Sequence, residues 1–234
     1  MGKIVAIGGG DFKSNGKINH SILELSGISS PKLLFIGTAM SDDPSYIRQA
    51  SDYFSGLGCV TDTLSVMSET YGEEQIKEKI LSSDIIYVGG GDTVLMMKEW
   101  RRQHVDRYLT EAYKKGIVLS GVSAGAICWF AFGHHEEEDP AINTYWWDTE
   151  RPYGLDLIHA IHCPHYNESG HETFDQKLAH ESLKGVALEN DTALVEKDGR
   201  YFIVKSDPEA KAYLIYYTDN EMQKIQLSEG EVFL

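Results

Sequence analysis

The hydrophobic positions in the first half of this chain form short apolar runs that alternate with amphipathic segments. Apolar runs of a few residues between turn-forming residues are typical of buried strands, and they predict strands at Lys3–Ile7, Lys32–Ile36, Cys59–Leu64, Ile85–Val88 and Ile117–Ser120. The intervening segments carry helix-capping and helix-dipole signals, and they predict helices at Ser45–Leu57, Gly72–Ser82, Asp92–Arg102 and Val105–Lys115. This alternation predicts an α/β fold with a doubly wound, mostly parallel sheet.

The pattern changes in the second half. Gly133–Gly154 has no clear period and is predicted to be a long ordered loop, which in a compact domain usually has a function. A strand at His159–Cys163 and a helix at His171–Leu183 are expected next. Asp198-Gly199 predicts a hairpin turn in a tail of antiparallel strands that extend the sheet, at Thr192–Glu196, Tyr201–Lys205, Ala212–Tyr217 and Met222–Leu227.

Composition narrows the class of protein. A chain of 234 residues with 42% hydrophobic residues predicts one domain over 1–234. The formal net charge of −15 argues against nucleic acid or an anionic membrane as a partner. No apolar run approaches the ~20 residues that span a bilayer, and the first residues are interpreted as a strand, not a signal peptide. Three scattered cysteines suit a reducing compartment, so a cytoplasmic location is expected.

Ser123 is the first candidate for chemistry. It lies in Gly121-Val122-Ser123-Ala124-Gly125, between an apolar run and a segment with helical character. A serine on a tight strand-to-helix turn presents its hydroxyl at the carboxyl edge of the sheet, and small flanking residues relieve the crowding there. The pattern is also found in ordinary turns, so a nucleophilic role requires partners elsewhere in the chain.

Glycine turns follow two of the other predicted strands. Gly89-Gly90-Gly91 precedes Asp92, and the amide of Gly91 could share an oxyanion site with the amide of Ala124; a packing turn capped by Asp92 is the alternative. Gly8-Gly9-Gly10 lacks the G-x-G-x-x-G spacing of dinucleotide sites, so no nicotinamide cofactor is expected.

His165 lies in the segment His162-Cys163-Pro164-His165-Tyr166, which ends a predicted strand, so His165 is expected near the same sheet edge as Ser123. A histidine there could accept the serine proton as general base. The competing hypothesis is a zinc site built from His159, Cys163 and His165, with His134 or His135 as a further ligand.

These motifs together resemble the dipeptidase E family. The order and spacing of the Gly89–Thr93 turn, the Gly121–Ala126 elbow and Cys163–Tyr166 carry the resemblance. Members are serine peptidases, also called aspartyl dipeptidases, and their fold is similar to class I glutamine amidotransferase domains. The resemblance implies Ser123 as nucleophile, His165 as general base, and an oxyanion hole of the Gly91 and Ala124 amides. It also implies an orienting acid 13 to 15 residues after the serine, for which Glu136 is preferred over Glu137 and Glu138.

Two departures bear on the substrate site that the resemblance implies. Asp92 stands where the family has Asn, and its carboxylate would oppose an oxyanion unless it is turned away or caps the helix. Phe174 stands where aspartyl dipeptidases have an arginine that holds the substrate carboxylate, which removes the basis for preferring N-terminal Asp.

The leading hypothesis is therefore a serine exopeptidase that hydrolyses short peptides through an acyl-enzyme on Ser123. It needs no metal or other cofactor, its partner is a small peptide, and a monomer or a homodimer is compatible with it. The alternatives are a catalytically impaired relative that binds a ligand or peptide, and the zinc hydrolase.

Overall fold

The computed structural model describes residues 2–134, 153–171, 173–219 and 221–234. The α-helices among these residues are α1 Gly16–Ser26, α2 Pro44–Gly56, α3 Glu73–Leu81, α4 Thr93–Gln103, α5 Val105–Lys114, α6 Ala124–Ile127 and α7 Thr173–Lys177. The strands up to the second glycine turn are β1 Lys3–Ile7, β2 Lys32–Ile36, β3 Val60–Leu64 and β4 Ile85–Val88. Those after it are β5 Val118–Val122, β6 Phe130–Gly133, β7 Ile158–Cys163, β8 Gly185–Leu188, β9 Thr192–Lys197, β10 Arg200–Lys205, β11 Ala212–Thr218, β12 Glu221–Leu227 and β13 Gly230–Val232.

The larger sheet has eight strands in the order β13-β10-β9-β1-β5-β4-β2-β3. The five strands from β1 to β3 are parallel, and β9, β10 and β13 add antiparallel pairs at the other side. This confirms the predicted mostly parallel α/β sheet with antiparallel C-terminal strands. The hairpin between β9 and β10 turns at Asp198 (φ 55°) and Gly199 (φ 78°), and two positive φ angles are what a type I′ turn requires.

Apolar side chains project from both faces of this sheet, as a doubly wound fold requires. Val5 and Ile7 of β1 pack with Ile18 and Ile22 of α1 and with Phe54 of α2. The alternate positions of β1 contribute to a second core on the opposite face, which contains Ile4, Ala6, Trp100, Leu109 and Trp129. Because the strands are covered on both sides, the sheet edge at their carboxyl ends is where a site can open.

A second sheet of five strands, in the order β12-β11-β8-β7-β6, was not predicted. The expectation that all tail strands extend the first sheet is wrong for β11 and β12, since β11 pairs with β8. The predicted helix His171–Leu183 is also too long. It ends as α7 at Lys177, followed by a 3-10 turn at Leu178–His180, because the chain must turn to enter β8 beside β7.

In the part of the chain that the structure describes, no helix has the length and apolar character needed to cross a membrane. Most of the long loop expected at Gly133–Gly154 lies outside the described residues. Its first residue belongs to β6, and Tyr153 at its other end forms a bridge to Phe132.

Candidate active site

Ser123 lies between the last residue of β5 and the first residue of α6, in a backbone conformation that L-residues rarely adopt. Its φ is 58° and its ψ is −119°, which is strained for a residue with a β-carbon. The backbone holds this conformation because the Ser123 amide donates to the Ile7 carbonyl, and the Ser123 carbonyl accepts from Ala126 and Ile127. A strained serine at this place is the geometry of a nucleophile elbow.

The glycines on each side of the serine are required by packing. A β-carbon on Gly121 would lie 2.3 Å from the Gly125 carbonyl oxygen, and one on Gly125 would lie 2.2 Å from the Val88 carbonyl oxygen. Both distances are far below van der Waals contact, and the obstacles are backbone atoms. The small residues of the motif therefore let the elbow pack directly against the end of β4.

His165 lies beside the serine as expected, although its strand β7 belongs to the second sheet and not to the sheet that contains β5. Its Nε2 is 2.6 Å from Ser123 Oγ, which is hydrogen-bond distance. The two residues are 42 positions apart in sequence, and the ends of β5 and β7 bring them together. The His165 side chain is 26% exposed, so the pair is accessible from solvent without being on an open surface.

The second glycine turn faces the elbow. A β-carbon on Gly90 would lie 3.2 Å from Ser123 Cβ, so a larger residue there would crowd the Ser123 side chain. The Gly90 amide donates to the Tyr46 hydroxyl at 3.2 Å, and burial raises the pKa of that hydroxyl. Gly91 has φ 132°, and a β-carbon there would lie 2.2 Å from the Ala39 carbonyl oxygen. Tyr46 and Ala39 thus fix the turn next to Ser123.

Asp92 caps helix α4. Its Oδ1 accepts from the Leu95 amide at 2.9 Å, which is the usual N-cap bond. The carboxylate therefore caps the helix, and in this arrangement it is not expected to oppose an oxyanion.

Phe174 does not line a cleft. Its side chain is fully buried in a small core with Ile161, Leu178 and Ile215. Gly185 is a glycine at this point because a β-carbon there would lie 2.8 Å from the phenyl ring. The expected substrate contact at Phe174 is corrected accordingly: the side chain lies on the inner face of α7 and stabilises the fold.

The residues proposed as zinc ligands do not form a metal site in the described part of the chain. His159 is 72% exposed and its Nδ1 lies 2.9 Å from Asp156 Oδ1. Cys163 is buried, with Sγ 3.4 Å from His171 Nδ1, and His134 is buried beside His171 and Phe174. Over residues 2–134, 153–171, 173–219 and 221–234, no group of three His, Cys, Asp or Glu side chains could hold a metal ion. His135 lies outside these ranges.

His162 is structural. Complete burial lowers its pKa from the ordinary 6.5 to about 3, so the ring is neutral. Its Nδ1 donates to the Val186 carbonyl at 3.0 Å, and the ring stacks on Phe130.

The predicted acid candidates Glu136, Glu137 and Glu138 lie outside the described residues. Two described residues near His165 were not singled out in the sequence. Glu168 Oε1 lies 3.8 Å from His165 Nδ1, and a β-carbon on Gly9 would meet both the ring and Asn190. Glu168 follows His165 by three positions, and a carboxylate so near was a signal available in the sequence. Asn190 follows β8, a strand that was not predicted.

Known proteins resemble this chain over most of its length. The model of peptidase family S51 matches residues 4–204. The chain belongs to peptidase family S51. This is the dipeptidase E family, so the family resemblance of the sequence motifs is confirmed and the chain is a peptidase by family.

Individual relatives agree with this assignment. The chain is 31% identical over 234 residues to the uncharacterized peptidase YgaJ of Bacillus subtilis, with 97% of each chain covered. It is 26% identical over 162 residues to the uncharacterized peptidase Lmo0363 of Listeria monocytogenes, covering 67% of this chain and 76% of the relative. The crystal structure of a peptidase from an acI-B1 actinobacterium shares the fold, with a TM-score of 0.75 at 18% identity and coverage of 100% and 97%.

Proposed function

We propose that this S51 peptidase is a serine exopeptidase that hydrolyses short peptides through an acyl-enzyme on Ser123. The observation that carries the proposal is the 2.6 Å contact between Ser123 Oγ and His165 Nε2 on a strained elbow. A serine is a weak nucleophile unless an adjacent base takes its proton. The family membership of the chain supports the peptide as substrate.

In the proposed reaction, His165 Nε2 takes the Ser123 hydroxyl proton as Oγ attacks the peptide carbonyl carbon. The amides of Gly91 and Ala124 donate to the resulting oxyanion. Ala124 is the first residue of α6, and the first amides of a helix have no intrahelical acceptor. His165 then gives the proton to the leaving amine. Water next attacks the Ser123 ester while His165 takes the water proton, and His165 returns that proton to Ser123 Oγ as the acid product leaves.

Specificity is proposed to differ from that of aspartyl dipeptidases. The position that holds arginine in those enzymes is occupied by Phe174, and this side chain is buried in the core. No cation from this position can therefore pair with a substrate carboxylate. The proposal also includes one catalytic domain over residues 1–234, a cytoplasmic location and an orienting role for Glu136, with Glu137 and Glu138 as alternates.

The test is hydrolysis of a panel of dipeptides and aminoacyl amides by the purified protein and its Ser123→Ala variant. The account expects turnover of at least one class of substrate and loss of that turnover in the variant. Ser120→Ala is the matched control, because Ser120 lies in β5, three residues before Ser123, and its hydroxyl donates to the Ile86 carbonyl. Equal turnover by Ser123→Ala and Ser120→Ala would refute the proposal. Absence of turnover with the whole panel would favour the alternative that the protein binds a ligand or peptide without cleaving it.

A further inference from the structure

Tyr166 follows His165 directly and has no part in the proposed reaction. It is the last residue of the motif Cys163-Pro164-His165-Tyr166. Its amide donates to the Leu188 carbonyl at 3.2 Å, which connects the residue after His165 to the end of β8. The contacts of the Tyr166 side chain therefore bear on where His165 lies.

The backbone of His165 has a conformation that residues with a β-carbon rarely adopt. Its φ is 153°, whereas the eight other non-glycine residues with positive φ in the described part of the chain lie between 52° and 63°. The smaller values belong to the left-handed helical region, but a φ of this size is used almost only by glycine. Such a conformation persists only where the surrounding structure holds it, so the chain on both sides of His165 must be anchored.

The backbone supplies part of that anchoring. Pro164 precedes His165, and its ring fixes its own φ. After His165, the Glu168 amide donates to the His165 carbonyl at 3.0 Å. Hydrogen bonds in a turn at the surface open readily unless buried contacts hold the turn. The Tyr166 side chain supplies such contacts, because it reaches three other elements.

Two charged residues hold the Tyr166 hydroxyl. It donates to Asp175 Oδ1 of α7 at 2.6 Å. Lys224 of β12 donates to Asp175 Oδ2 at 3.1 Å and also to the Tyr166 hydroxyl. Burial and the hydrogen bond to Asp175 raise the pKa of Tyr166, so the hydroxyl keeps its proton and remains the donor to the carboxylate.

The tyrosine rings hold the same lysine. Lys224 Nζ lies 4.5 Å from the centroid of the Tyr166 ring and 4.9 Å from that of Tyr213 in β11. Both distances are within the about 6 Å over which a cation is attracted to an aromatic face. The side chains of Asp175 and Lys224 are 17% and 32% exposed, so solvent screens this pair less than a pair on an open surface.

Helix α7, which carries Asp175, is itself fixed to the second sheet. The Tyr217 hydroxyl of β11 donates to the Asp175 carbonyl at 3.0 Å. The neighbouring Phe174 is fully buried in the core that includes Ile215 of β11. The side chain of Tyr166 is therefore anchored on a part of the structure that is held on its own account.

We propose that Tyr166, anchored by Asp175 and Lys224, is a positioning residue that keeps His165 in the strained backbone conformation from which its Nε2 reaches Ser123. The catalytic meaning of this inference rests on the proposed function. Release of the Tyr166 side chain lets the turn relax toward an ordinary φ and moves the imidazole away from its 2.6 Å contact with Ser123. The role is separate from that of the orienting acid, which acts on the ring and not on the backbone that carries it.

The experiment uses Tyr166→Phe, which removes the hydroxyl and keeps the ring. Two rates are measured in the full-length protein, namely the modification of Ser123 by a fluorophosphonate and the hydrogen exchange of the Glu168 amide by NMR. Modification should slow at least about tenfold, a part of the about 10²–10⁴-fold that a positioned base contributes. The Glu168 amide should exchange at least about tenfold faster, because its bond to the His165 carbonyl opens when the turn is released.

Tyr108→Phe is the matched control. The Tyr108 hydroxyl also donates to a carboxylate, Glu73 Oε1 at 2.8 Å, and that bond joins α5 to α3. Its loss should leave both rates unchanged.

A double substitution separates the positioning of His165 from a general loss of structure. When Tyr166→Phe is added to His165→Ala, the residual modification rate should stay the same, because the effect of the tyrosine runs through the imidazole. A structural change that reached Ser123 by another route would slow modification equally with and without the imidazole.

The inference is overturned if Tyr166→Phe matches Tyr108→Phe in either rate, or if it slows modification equally in the parent and in His165→Ala. If the fluorophosphonate does not modify the parent protein, the proposed nucleophile is refuted and the Glu168 exchange rate alone decides. Faster exchange in Tyr166→Phe then supports the positioning of His165, and unchanged exchange overturns it.

Discussion

Replacing Gly125 by alanine tests whether the elbow depends on direct backbone packing. The added β-carbon would lie 2.2 Å from the Val88 carbonyl oxygen, 2.7 Å from the Val88 carbonyl carbon and 2.9 Å from the Gly89 carbonyl oxygen. None of these atoms belongs to a side chain that could rotate away. Val88 ends β4, which is hydrogen-bonded to β2 on one side and β5 on the other, so the strand cannot retreat either.

Overpacking of this kind costs about 1–3 kcal/mol, and the backbone obstacles place Gly125→Ala at the upper end. A loss of about 3 kcal/mol corresponds to a decrease in melting temperature of about 6–12 °C for a chain of this size. Because β4 cannot move, relief of the clash must displace Gly125 and the turn that carries Ser123, and fluorophosphonate modification should slow at least about tenfold.

Urea unfolding followed by circular dichroism gives the stability, and timed fluorophosphonate reactions give the rate in the folded protein. Gly56→Ala is the matched control, because Gly56 is the exposed last residue of α2 and an added β-carbon there meets nothing within 4 Å. It should stabilise the protein by up to about 1 kcal/mol without changing modification. If Gly125→Ala matches Gly56→Ala in both measurements, the close packing of the elbow against β4 is refuted.

Three further predictions address side chains around the site. Asp92→Ala should lower the unfolding free energy by about 1 kcal/mol, because the hydrogen bond that caps the Leu95 amide is lost. Asp92→Asn should keep both the stability and the rate of Ser123 modification. A much faster modification of the Asn variant would show that the carboxylate opposes the oxyanion. Phe174→Ala should cost about 3–5 kcal/mol because the ring is fully buried, and unaltered urea unfolding would contradict its place in the core. The parent protein should lose stability as pH falls from 6.5 toward 3, since unfolded His162 binds a proton that the folded ring with its pKa of about 3 does not. This loss has a slope of up to about 1.4 kcal/mol per pH unit, and unfolding curves of His162→Gln at several pH values should show a shallower dependence.

Much of the fold was predictable because local signals and the buried sheet agree. The capping pair Asp43-Pro44 and the apolar strand β4 each specify their own element, and the structure has α2 and β4 where these signals place them. The second sheet was not predictable in the same way. Whether β11 pairs with β8 or extends the first sheet depends on contacts between distant strands, and alternation along one strand does not encode its neighbour.

The candidate site likewise contains residues that local sequence signals could identify and residues that they could not. Ser123 and His165 each follow a predicted strand, and their contact was expected because both strand ends were placed at one sheet edge. They are in contact, yet β5 and β7 belong to different sheets, so how these two strand ends meet was not predictable from the strand pattern. Phe174 was assigned by alignment with a family motif, which does not say to which face of a short helix a side chain turns. Asn190, which lies beyond the end of β8, escaped notice because that strand is only four residues long, and an asparagine in a loop carries no spacing signal.

The central claim is that Ser123 is the nucleophile and that His165 activates it. Its most direct test is mass spectrometry of the intact protein and its peptides after reaction with a fluorophosphonate, for the parent, Ser123→Ala and His165→Ala. We expect one adduct on the peptide that contains Ser123, no adduct in Ser123→Ala, and strongly slowed reaction in His165→Ala. An unmodified parent protein, or an adduct that persists in Ser123→Ala, would contradict it.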